Sequence, residues 1–299
     1  MAERGIEAIR AKLATLPPST DVSVEALRTQ YDKAVRVFPV GPDTRVEDVA
    51  IGGVACERLT PAGAATGDCL IYLHGGGYAI GSPRSHRHVA AEIARLAGTV
   101  AVVPDYRLCP EHRHPAAVED ALAVYRGLLD GGIAANRIVI AGDSAGGGLT
   151  IACALAARDA GLPMPAALVC LSPWTDMEGS GESHVTRAAR DPMVRAADLA
   201  RWRSAYMGDA DPRAPLASPI HADLRGLPPM LIQVGDEEVL LDDARLFAER
   251  ARAAGVEAKL EVWDRMIHVW HWYWPMLDEG AQAIATIAAF MRGLIGAAR

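Results

Sequence analysis

The five residues Gly142-Asp143-Ser144-Ala145-Gly146 form a G-x-S-x-G sequence between an apolar run, Arg137–Ala141, and a helix-forming stretch from Gly147. A serine hydroxyl is a weak nucleophile until a base takes its proton. A strand, a tight turn and a helix, with glycines two residues to either side, would present Ser144 on a strained nucleophile elbow. The helix start behind it favours developing negative charge. A second glycine cluster, His74-Gly75-Gly76-Gly77, follows the apolar Cys69–Leu73. Its backbone N–H groups, with that of Ala145, can make an oxyanion hole. A phosphate loop is the rival for such glycines, but no G-x-x-x-x-G-K-[ST] is present and no G-x-G-x-x-G follows a strand.

A serine nucleophile needs a base and an orienting acid, and nine histidines are available. His268 lies just past the run Ala258–Trp263, where a base could meet the strand ends. His271 falls toward an aromatic segment and reads as a packing or rim residue. His86/His88 and His112/His114 are H-x-H pairs, but no third-ligand pattern such as H-E-x-x-H accompanies them, so no metal is expected. Carboxylates crowd together at Asp236, Glu237 and Glu238, after the apolar Met230–Val234. The chain order serine, acid, histidine is that of α/β-hydrolases.

The elements that must position these groups alternate. Strands are expected at Cys69–Leu73, Thr99–Pro104, Arg137–Ala141, Ala167–Ser172, Met230–Val234 and Lys259–Trp263. Helical periodicity falls at Ser85–Leu96, Pro115–Asp130, Gly147–Ala160, Asp242–Ala254 and Pro275–Ile295. Such alternation predicts a mostly parallel sheet with helices on both faces and chemistry at the strands' carboxyl ends. Before it, Thr44–Pro61 reads as a hairpin turning at Gly52-Gly53. Two regions stand outside the pattern. Residues 1–40 are amphipathic and helical, with Leu13, Leu16, Leu27, Tyr31, Val35 and Phe38 near helical spacing and a break at Pro17-Pro18. Residues 178–215 are polar and helical, with the length of an insertion over a site.

Composition sets outer limits. The chain has 299 residues, 51% hydrophobic and 22% charged, enough for a large core. A formal net charge of −7 and the absence of basic runs argue against nucleic acid as a partner. No apolar stretch approaches the roughly 20 residues of a membrane span. The N-terminus has no signal-peptide h-region, and five cysteines without a C-x-x-C read as small buried hydrophobes, so a cytoplasmic location is expected.

With these residues in view, the sequence resembles the bacterial hormone-sensitive-lipase family of carboxylesterases. The likeness rests on HGGG at 74–77, DYRLCPEHRHPAAVED at 105–120, GDSAGGGL at 142–149 and MIH at 266–268, and it covers about 70–299. It implies an α/β-hydrolase fold with a helical cap. The cap would be residues 1–42 and 178–215, and the catalytic domain 43–177 and 216–299. It implies cofactor-free, metal-free hydrolysis of short- to medium-chain acyl esters, with a small-molecule ester as partner and a homodimer allowed. The family's oxyanion donors fall on Gly76, Gly77 and Ala145. Its acid opens a D-x-L-x-D frame, and here the frame ending in Leu240 and Asp242 opens with Glu238. Asp236 lies two residues too early, so Ser144, Glu238 and His268 are the expected triad. Asp143 reads equally as a holder of the loop or as a solvated turn residue, and Arg107 and Glu111 as structural pairs. A non-catalytic receptor on this scaffold would not need His268. A peptidase would need groups for an amine terminus, and no paired-glutamate motif is evident.

Overall fold

The computed structural model describes residues 5–33, 37–38 and 40–297. Val35 of the N-terminal pattern lies outside them. Eight strands form one sheet: β1 (Thr44–Ile51), β2 (Val54–Pro61), β3 (Ala65–Leu73), β4 (Thr99–Pro104), β5 (Ile138–Asp143), β6 (Ala167–Leu171), β7 (Met230–Gly235) and β8 (Ala258–Trp263). Their spatial order is β1-β2-β4-β3-β5-β6-β7-β8. β1 and β2 make the hairpin expected at Gly52-Gly53, with Ile51 opposite Val54, and β2 joins β4 antiparallel. All pairings from β4 onward are parallel. This is the mostly parallel sheet that the sequence pattern predicts, in the α/β-hydrolase architecture that the family resemblance implies.

Helices α3 (Pro83–Ala97) and α9 (Asp278–Ala297) cover one face. Helices α4 (Ala116–Asp130), α5 (Ala145–Asp159) and α8 (Leu241–Ala253) cover the other. Because both faces are covered, the central strands are apolar throughout rather than alternating. In β5, Ile138 and Ile140 pack toward α4 and α5, while Val139 and Ala141 pack toward α3 and α9. Helices α1 (Ile6–Leu13) and α2 (Val24–Lys33) precede the sheet, and α6 (Ser183–Thr186) and α7 (Ala196–Met207) lie between β6 and β7.

Most boundaries differ from the sequence reading by one or two residues, and three of the differences have a clear physical reason. β3 starts at Ala65 rather than Cys69, because a bulge between these residues lets it resume pairing with β4. α5 starts at Ala145 rather than Gly147, because the helix runs directly out of the Ser144 turn and takes in Ala145 and Gly146. A Cβ on Gly147 would press on Pro173 at 2.9 Å, and one on Gly148 would overlap the Trp174 carbonyl. The last helix begins at Asp278, since Trp270–Tyr273 first forms a turn of 3₁₀ helix.

Candidate active site

Ser144 stands between the end of β5 and the start of α5, with φ 54° and ψ −121°. A non-glycine residue there stores roughly 1–3 kcal/mol of strain and persists only where its surroundings over-determine it. The Ser144 N–H donates to Leu171 O at 2.8 Å, and its carbonyl accepts from Gly148 (3.1 Å) and Trp174 (2.9 Å). A Cβ on Gly146 would run into the carbonyls of Leu73 and His74, and one on Gly142 into that of Gly146. Both glycines are therefore required by the close passage of the chain beyond β3.

That passing chain is the His74–Gly77 loop. Gly76 (φ 117°) and Gly77 (φ 61°) occupy backbone conformations that L side chains rarely adopt. The N–H groups of Gly76, Gly77 and Ala145 donate to no protein group among the described residues. Gly75 N–H instead donates to Asp143 Oδ1 at 3.1 Å, which also accepts from the Tyr72 hydroxyl at 2.9 Å. Asp143 Oδ2 lies 3.5 Å from His86 Nε2. Asp143 is thus buried and holds the loop, and the solvated-turn alternative falls away. Burial opposes its charge, but His86, Tyr72 and His74 outweigh it and keep its pKa below the ordinary aspartate value. His74 stacks on Tyr106, with ring centroids 4.2 Å apart, and burial lowers its pKa to about 3, so it is neutral.

His268 and Glu238 meet at 2.6 Å between Nδ1 and Oε2. Glu238 is fully buried, and its Oε1 accepts from Gly235 N–H (2.6 Å) and from the Ser172 hydroxyl (2.8 Å). Ser172 Oγ in turn accepts from Val269 N–H at 3.1 Å, joining the acid loop to the histidine loop. Burial would lower the pKa of His268, but the charges of Glu238, Asp191 and Asp143 and the bond to Glu238 raise it. Asp236, the other candidate acid, does not reach the imidazole. Its backbone carbonyl accepts from Arg187 Nε at 2.7 Å, and its Oδ1 is buried without a hydrogen-bond partner. Leu240, wholly buried, and Asp242, in the first turn of α8, fix the frame of this loop. Ser172 was not singled out from sequence. The available signal was a hydroxyl immediately beyond the carboxyl end of a parallel strand.

Ser144, Gly76, Gly77 and His268 open onto one cavity of about 140 Å³. No hydrogen bond joins the Ser144 hydroxyl to His268, whose Nδ1 side is taken by Glu238. Tyr31 and Leu27 of α2 reach the cavity from one side, and Leu199 and Trp202 of α7 from the other. The two sides are joined: Ser19 donates to Asp198, and Arg201 donates to the Ser19 and Val22 carbonyls. Trp202 packs where a side chain on Gly77 would lie.

The remaining candidates have other partners. His86 turns to Asp143, whereas His88 stacks on Phe38 and its Nε2 lies 3.1 Å from Trp272 O. His114 lies against Tyr206, and His271 is buried with Nε2 at 2.9 Å from Gln233. Arg107 pairs with Asp120 and Glu119, and Glu111 with Arg28 of α2, whose guanidinium also donates to Ala79 O behind the glycine loop. All five cysteines are free and buried. Among the described residues, no helix is long and apolar enough to cross a membrane.

Comparison with known proteins gives the family. The family model described as "alpha/beta hydrolase fold" matches residues 70–272. A crystal structure of an esterase from the bacterial hormone-sensitive lipase family superposes with a TM-score of 0.92 at 48% identity, covering 96% of each chain. The chain belongs to the bacterial hormone-sensitive-lipase family of α/β-hydrolases. A hormone-sensitive lipase from a metagenome library gives a TM-score of 0.93 at 39% identity, over 97% of this chain and 96% of that one. An acetyl-hydrolase of Streptomyces hygroscopicus is 47% identical over 99% of each sequence. As a member of this family, the α/β-hydrolase described here is a carboxylic ester hydrolase.

Proposed function

We propose that the enzyme is a serine carboxylesterase acting on short- to medium-chain acyl esters through Ser144, His268 and Glu238. The observation that carries this reading is the buried Glu238–His268 pair, opening onto the same cavity as the strained Ser144. In the mechanism, Nδ1–H of His268 donates a hydrogen bond to Glu238 Oε2, which leaves Nε2 as the acceptor for the serine proton. Ser144 Oγ attacks the ester carbonyl, and the oxyanion is received by the N–H groups of Gly76, Gly77 and Ala145. The alkoxide leaves with the proton from His268, and water then attacks the acyl-enzyme with the same imidazole as base. Glu238 orients the ring and stabilises the imidazolium.

The cavity supports the short end of the range, because about 140 Å³ is close to the volume of engineered cavities that hold benzene. The cap is read as residues 1–42 and 178–215, over a catalytic domain of 43–177 and 216–299. The bonds between Ser19, Asp198 and Arg201 join its two parts over the cavity. Five free, buried thiols suit a reducing compartment, so the cytoplasm is the proposed location. The test is fluorophosphonate labelling with hydrolysis of nitrophenyl esters from acetate to hexadecanoate. Labelling at Ser144 and rates that fall beyond medium-length acyl chains are expected. Turnover without labelling would overturn the mechanism, and a preference for hexadecanoate would overturn the substrate range.

A further inference from the structure

The cap segment between β6 and α7 grips the acid loop as well as covering the cavity. Ser183 Oγ donates to Val239 O (2.6 Å) and accepts from Asp242 N–H (3.0 Å), while Ser183 N–H donates to Asp242 Oδ2 (2.8 Å). His184 Nε2 meets Asp243 Oδ2 at 2.9 Å, and Arg187 holds the Asp236 carbonyl. The tie nearest to the acid is made by Asp191. Its Oδ2 accepts at 3.0 Å from the N–H of Val239, the residue that follows Glu238. Its Oδ1 accepts from Met193 (2.8 Å) and Val194 (2.9 Å), both of which line the cavity. Met193 also packs against the group formed by Met266, Ile267 and Trp270 around the histidine loop. The Asp191 carboxylate is buried, with three N–H donors around it.

We propose that Asp191 is a positioning residue for ester hydrolysis: it fixes the Glu238 loop against the Met193–Val194 wall and adds a negative charge near His268. The proposal rests on the reading of Glu238 and His268 as acid and base. An imidazolium forms at His268 in the transition state, and a fixed negative charge near it lowers its energy. The charged and titratable groups around the ring are Glu238 from the acid loop, Asp191 from the cap and Asp143 from the elbow. His271, in the 3₁₀ turn that follows, is held neutral by burial, with a pKa lowered to about 3. Burial also pushes the Asp191 carboxyl above its ordinary range, against the pull of His268 and the backbone N–H groups. Removing the Asp191 charge lowers the pKa of His268. The acid limb of kcat/KM, where the free imidazole becomes protonated, must then move to lower pH. A purely structural tether would reduce activity without moving that limb.

The test compares pH–rate profiles for nitrophenyl butyrate among the parent enzyme, Asp191→Asn, Asp191→Glu and Glu238→Gln. Asp191→Asn is expected to lower kcat/KM by about tenfold or more and to move the acid limb down by roughly half a pH unit. Asp191→Glu, which keeps the charge but displaces the wall, is expected to leave the limb in place and raise KM. A folded Asp191→Asn enzyme with the limb unmoved would overturn the proposal. If that variant does not fold, an Asp191→Glu enzyme with parental kcat and KM would overturn it. Full activity in Glu238→Gln would instead remove the triad reading beneath it. A disabled Glu238→Gln beside an unmoved Asp191→Asn limb sinks the Asp191 proposal alone.

Discussion

Ser144 and Glu238 both lie just past parallel strands, yet they are held in opposite ways. The Ser144 turn is set mainly by backbone sterics. β5 enters, α5 leaves, and Gly142 and Gly146 make room for the chain beyond β3. Glu238 sits three residues beyond β7, and besides the local Gly235 N–H its loop is held by distant chain: Ser172 after β6, and Ser183 and Asp191 of the cap. A site element fixed by sterics within one strand–turn–helix unit leaves a sequence motif. An element fixed by side chains from other elements leaves only a set of candidates.

The sharpest way to break this comparison is at the elbow. Ser144→Ala should lower kcat by roughly 10⁴-fold or more with the fold intact, because no neighbouring hydroxyl can take the same strained position. Covalent labelling and steady-state rates check it. Glu238→Gln should reduce kcat by roughly 10²–10⁴-fold, since it removes the charge that steadies the imidazolium and permits the wrong tautomer. Activity near the parental level would mean that the acid lies elsewhere. A pH profile sharpens the contrast further. Because His268 is raised above the ordinary histidine value of 6.5, the parental acid limb of kcat/KM should have its midpoint above pH 6.5, with activity lost as pH falls through it. In Glu238→Gln the residual activity should show a limb at lower pH. The smallest effect is expected for Asp236→Asn, less than about tenfold, since Arg187 uses the Asp236 backbone carbonyl and not the carboxylate. If Asp236→Asn is the more damaging of the two, the acid loop has been read two residues out of frame.

Much of the fold is legible in the sequence. The alternation of apolar runs and helical stretches gave the parallel sheet, and the hairpin at Gly52-Gly53 was marked by its own turn residues. His268 stood out by its place after the last strand, and Asp242 and Leu240 set the frame for Glu238. What was misread were starts of elements, such as α5 at Ala145. There the helix runs directly out of the turn, so its first residues are Ala145 and Gly146, which the G-x-S-x-G pattern assigns to the elbow. Tyr72 and Asp191 carry no readable mark, and Ser172 only its place beyond a strand end, because a single hydroxyl or carboxylate becomes informative only when its partner is known.

The sequence alone determined the features that depend on neighbours along the chain: the order of strands and helices, the turn at Ser144, and the glycines that leave N–H groups unpaired at Gly76 and Gly77. Hydrophobic periodicity and backbone sterics act over a few residues, so they are written locally. Only the tertiary structure decided how the Glu238 carboxylate is carried to His268, and that Asp143 turns inward to Gly75, Tyr72 and His86. Those outcomes depend on where a side chain ends after distant segments have packed around it. Within Asp236–Glu238 it is the wholly buried Glu238, held by Ser172 and Gly235, whose carboxylate arrives at the imidazole.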